Sequence, residues 1–185
     1  MSEVFQLWLP ILATAIFIFI ASSLIHMLFK WHNSDYHKLS NEDDVRAAIR
    51  AGSPAPGQYI LPHCIEMKDM ADPVMIKKFT DGPVAMITVR PSVAPTMGKP
   101  LVSWFIFTLV IAAIAATVAV DAFGIKGDSR SAAHLVGVVS FLVYAAGSFQ
   151  MAIWMGKPWG SVGKDVLDSI IYAVISALTF WWLWP

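Results

Sequence analysis

The sequence predicts an all-α membrane protein with four transmembrane helices and a small α+β cytoplasmic insertion between the first two. Three observations predict it. Four apolar runs approach or exceed the ~20 residues that a helix needs to cross a ~30 Å hydrocarbon core. Hydrophobic residues make up 57% of the chain and charged residues 14%, against about 25% charged in an average soluble domain. Mean hydropathy is +0.62. The eight tryptophans fall near the predicted helix ends, the level at which an indole keeps its ring in apolar matter and its N–H in reach of water.

The first span is predicted over residues 4–29. Its apolar character is too long for a signal-peptide core, and no Lys or Arg precedes it, so it reads as a retained anchor. Pro10 falls in its first turns, where a missing N–H costs least. Residues 30–100 form the polar segment. Within it, Ser40 is a candidate N-cap for a helix near 41–51, with Glu42, Asp43 and Asp44 in its first turn and Arg46 and Arg50 toward its end; each charge complements the helix dipole. Asp72-Pro73 predicts a second helix near 73–80, closed by Gly82. Gln58–Leu61 and Val84–Val89 read as short strands. A unit of about 70 residues is marginal alone, so it is expected to lean on a membrane surface or a partner.

The remaining spans are predicted over residues 101–121, 132–155 and 166–184, with connections too short to cross a bilayer. Basic residues set the expected orientation. Nine lie between spans one and two, two (Lys157 and Lys164) between spans three and four, and two (Lys126 and Arg130) on the opposite side. This asymmetry predicts a cytoplasmic polar segment and both termini on the periplasmic side.

Candidate chemistry is sparse. Acidic and basic residues balance at 13 each, so no basic excess points to nucleic acid. The single cysteine, Cys64, excludes an intrachain disulfide. His63 and Cys64, with Met67 and Met70 nearby, have soft-metal character without a closed metal motif. His26 and His134 are read as the histidines of the spans; their predicted depths differ by most of the bilayer, which argues against a shared haem. Asp165 and Asp168 read as ordinary acids at the start of the fourth helix. No span carries a central Lys, Arg, Asp or Glu, so no cofactor, redox centre or ion path is expected. Small residues at fourfold spacing, Ala112 and Ala116 on span two and Ser169, Ala173 and Ala177 on span four, permit close helix approach, either within the bundle or against a partner.

The stretches GPVAMITVRP, PTMGKPLVSWF and DSIIYAVISALTFWWLWP resemble a group of bacterial inner-membrane proteins that carry no assigned activity. The resemblance covers roughly residues 40–185, implies a bacterial inner membrane and transfers no site. With no catalytic set, the expected function is that of a non-enzymatic accessory or scaffolding subunit of a larger membrane assembly, in contact with lipid and with other membrane subunits. The alternative is a small transporter or soft-metal-handling membrane protein.

Overall fold

A computed structural model describes residues 3–185. The chain divides into two compact units: residues up to Tyr36 together with Thr96–Pro185, and His37–Pro95. Four helices are long and apolar enough to cross a membrane: α1 (Val4–Phe29), α4 (Gly98–Phe123), α5 (Ser129–Met155) and α6 (Trp159–Leu183). All four belong to the first unit.

The helices pack in a ring, α1 against α4, α4 against α5, α5 against α6 and α6 back on α1. The pairs α4–α5 and α5–α6 run antiparallel, as their short connections demand. One core cluster joins Leu7, Ala116, Ala119, Val136, Phe180 and Trp184. A second, toward the other end, joins Ile18, Ile25 and Tyr172 with Trp31, Trp104 and Tyr144 against them. Leu7 and Trp184 share a cluster, so the beginning of α1 and the end of α6 lie at the same end of the bundle.

Small side chains bring the helix axes together. Ala112, Ala115, Ala116 and Ala119 of α4 and Ser169 of α6 are buried. A Cβ built on Gly137 of α5 would lie 3.1 Å from the Cβ of Ala177 and 3.3 Å from the carbonyl oxygen of Ala173. Buried hydroxyls donate to their own helix: Thr108 to Phe105 at 2.8 Å, Ser169 to Asp165 at 2.7 Å and Ser176 to Tyr172 at 2.8 Å. That is how a hydroxyl avoids being orphaned in an apolar interior. The opposite faces are apolar and exposed, as at Val102, Ile106, Val110, Ile114 and Val118 of α4 and at Ile170, Val174 and Leu178 of α6. A soluble bundle would turn polar residues outward.

α6 starts at Trp159, well ahead of the expected Val166. Pro158 is its cap residue, and the glycines of the KPWGSVGK stretch lie inside the helix rather than in a turn. Asp165 and Asp168 therefore sit beyond the first turn, and reading them as ordinary helix-N-terminal acids is corrected.

The His37–Pro95 unit holds α2 (Glu42–Ala51), β1 (Gly57–Leu61), α3 (Pro73–Asp81) and β2 (Ala85–Val89). β1 and β2 pair antiparallel, from Gly57 opposite Val89 to Leu61 opposite Ala85. Asn41, not Ser40, occupies the cap position of α2, without a side-chain cap bond. The Asp72 carboxylate accepts the Val74 N–H at 2.9 Å and caps α3, with Pro73 in the first turn. Cys64 is the one buried residue among the described residues of this unit.

Candidate functional site

The site begins with an irregularity at the end of α1. Over Leu24–Phe29 the helix widens into a π-turn, which admits an extra residue per turn and re-aims the side chains it carries. Lys30 then takes a left-handed conformation, φ 55°, and its N–H closes on the Ile25 carbonyl at 2.8 Å. The chain turns back as a short 3-10 turn, Trp31–Asp35. In a continuous helix, residues 26 and 32 would lie ~120° apart around the axis. The reversal instead stacks the His26 and His32 rings, with centroids 4.9 Å apart and planes at 19°.

This turn locks onto α6. Trp31 donates its indole N–H to Oδ1 of Asp168 at 3.1 Å, and His32 Nε2 lies 3.0 Å from Oδ2 of the same carboxylate. His32 Nδ1 lies 2.9 Å from Oδ2 of Asp35. Lys164 has three N–H donors and directs them at three acceptors: the Trp31 carbonyl at 2.9 Å, Ser34 Oγ at 2.7 Å and Asp35 Oδ1 at 2.6 Å. Hydrogen bonding from Lys164, then from His32 and Ser161, holds the Asp35 carboxyl down at about 2, below its ordinary 3.8. Asp168 is only 5% exposed, and a buried carboxylate needs such partners.

His26, His32 and Asp168 each offer one ligand atom, all within 4.8 Å of one another. The surroundings suit a metal centre. His26 Nδ1 is 3.0 Å from the Ser22 carbonyl, so Nδ1–H donates there and Nε2 keeps its lone pair. With Nδ1–H of His32 donating to Asp35, its Nε2 lone pair and Asp168 Oδ2, 3.0 Å apart, would both face an ion placed between them. Trp31 steadies Oδ1 of Asp168. Metal-bound histidines and carboxylates are commonly anchored in this way by a second partner.

A cavity of about 510 Å³ adjoins the group. Its polar side includes His26, Asp168, Asp165, Lys157 and the two tyrosines Tyr144 and Tyr172; Met27, Met97, Leu101 and Met151 supply apolar wall. Asp165 is held by Ser148 and Lys157. Trp104 donates to Ser22 Oγ at 2.8 Å. The Tyr144 hydroxyl is buried without a hydrogen-bond partner.

Other residues singled out in the sequence lie apart from this group. His63 is exposed, Met67 and Met70 are exposed, and Cys64 is buried, its thiol 3.9 Å from the Glu66 carbonyl. Among the described residues, neither His63 nor Cys64 joins a set of three His, Cys, Asp or Glu ligand atoms. His26 pairs with His32, not with His134; His32, just past the first span, escaped the sequence reading. The usable signal was the run of His26, Trp31, His32 and Asp35 bracketing the end of a span. In comparisons with protein families, curated proteins and solved structures, no match was found for this chain.

Proposed function

We propose that this chain is an integral membrane protein holding one divalent metal ion, zinc in particular, between His26, His32 and Asp168. The observation that carries the reading is the completeness of the surroundings: each prospective ligand has its other polar atom engaged, by the Ser22 carbonyl, by Asp35 and by the Trp31 indole. Two imidazoles and a carboxylate suit zinc, and three protein ligands leave a further coordination position for water or a substrate group. That position would adjoin the cavity, since His26 and Asp168 both line it. An ion there would act as a Lewis acid on whatever oxygen reaches it.

The reading belongs with the metal-handling alternative and moves the ion away from His63 and Cys64. A purely scaffolding role rests on the small-residue stripes, the marginal size of the polar unit and the lack of a catalytic set in the sequence, and the His26, His32 and Asp168 group favours the metal-handling reading over it. The same basic asymmetry as before supports a cytoplasmic His37–Pro95 unit, with the beginning of α1 and the end of α6 outside; a bacterial inner membrane is the setting this reading adopts.

Metal titration of the chelator-stripped protein in neutral detergent tests the centre. We expect one zinc ion per chain, and with Co²⁺ a visible d–d spectrum. His32→Ala and Asp168→Asn should weaken binding by at least about a hundredfold, beyond the 10–100-fold typical of outer partners, while His134→Ala should leave it unchanged. Binding by His32→Ala and Asp168→Asn as tight as the parent's would overturn the assignment.

A further inference from the structure

We propose that the cavity beside the centre binds an anionic amphiphile, a single acyl chain with an acidic head. The head would sit on the ion and the Tyr144 hydroxyl, and the chain along Met27, Leu101 and Met151. The proposal rests on the metal reading above and adds the ligand class.

Three observations converge on it. The first is charge. With the centre loaded, a doubly charged ion and Lys164 face Asp35 and Asp168, so one positive charge is left over; Lys157 and Asp165 cancel one another. An unmatched charge between packed helices is costly, and one anionic group removes the imbalance. The second is the orphaned donor. A buried hydroxyl without a partner forfeits its hydrogen bond to water; Tyr144 lines the cavity, and its hydroxyl, closed off from water, has no partner in the protein. An anionic oxygen that reached it would supply the acceptor it lacks. The third is the apolar lining. Met27, Met97 and Met151 contribute to it, and unbranched thioether side chains adapt to a flexible chain. At about 510 Å³ the space falls in the range of small-molecule sites, ~300–1,000 Å³. Met27 and Met97 at its margin are exposed, at 63% and 64%, on a bundle whose outer faces suit lipid.

Isothermal titration of the zinc-loaded protein in neutral detergent would decide it, with dodecanoate, dodecyl phosphate and dodecanol as probes and zinc content measured on each sample. The expected result is one acidic amphiphile per chain, bound about tenfold tighter than dodecanol, with the preference lost on chelation. Whichever of dodecanoate and dodecyl phosphate binds more tightly identifies the head as carboxylate or phosphate. Tyr144→Phe removes only a hydroxyl that bonds to nothing in the protein, so the fold should tolerate it; binding should fall about tenfold, as for a hydrogen bond to a charged group. Met151→Trp, at a half-exposed position, should block the cavity. Zinc uptake with no preference for the acidic probes, or with Tyr144→Phe and Met151→Trp both binding like the parent, overturns this proposal and leaves the metal centre standing. Failure to take up zinc overturns the centre and this proposal with it.

Discussion

Replacing Gly137 probes a close contact between α5 and α6. A Cβ there would meet the Ala177 Cβ at 3.1 Å and the Ala173 carbonyl oxygen at 3.3 Å, both on α6. Either distance requires the neighbour to yield by a few tenths of an ångström. Gly137→Ala gains about 1 kcal/mol in helix propensity and loses about 1–3 kcal/mol to overpacking, a net loss of up to roughly 2 kcal/mol. Gly137→Leu puts a full side chain into the same gap and should cost about 3 kcal/mol or more. Gly163 is the internal control: it lies within α6, is exposed, and a Cβ there meets nothing within 4 Å. Gly163→Ala should therefore stabilise by up to about 1 kcal/mol. Reversible unfolding in mixed micelles of denaturing and neutral detergent reads all three variants on one scale. If Gly137→Leu unfolds at the same point as the parent, α5 and α6 do not approach as described, and the packing argument fails.

Three further outcomes are expected. Asp35→Asn keeps the shape but weakens the acceptor for His32 Nδ1–H, so zinc affinity should fall about 10–100-fold in the titration described above; unchanged affinity would remove Asp35 as a positioning residue. Asp128 caps α5 by accepting the Ser131 N–H at 2.8 Å, and the Ser131 side-chain and backbone donors lower its pKa from the ordinary 3.8. A lowered acid stabilises the fold above its ordinary value and loses that contribution as pH falls through the lowered one, so thermal melts from about pH 5 to about pH 3 should show a smaller decline for Asp128→Asn than for the parent. In a Cys64→Ala background, single cysteines at Ser53 and Asp128 should react with a membrane-impermeant reagent from opposite sides, Ser53→Cys from the cytoplasm; labelling of both from one side would contradict the proposed topology.

Much of the fold is local, and local physics is legible in a sequence. Length and apolarity suffice to mark the four long helices, because the cost of burying backbone and charge in hydrocarbon accrues residue by residue. Asp72-Pro73 marks the start of α3 because the carboxylate caps the N–H groups beside it. The start of α6 was harder to read. Gly160 and Gly163 favour a turn by propensity alone, and packing of α6 against α5 outweighs their weak helix propensity.

The candidate site was not legible for a different reason. His26 and His32 meet only because a π-turn and a left-handed Lys30 reverse the chain, and neither has a dependable sequence signature. Asp168 reaches them from 136 residues away, through the order in which the four helices close their ring. The spacing of alanines and serines along α4 and α6 left open which surface they would meet. Gly137 at the Ala173–Ala177 face gives one contact within the bundle. Hydropathy determines that these four helices are long and apolar enough to cross a membrane. Which side chains converge between them depends on backbone irregularities and helix order, and these are decided only when the helices pack.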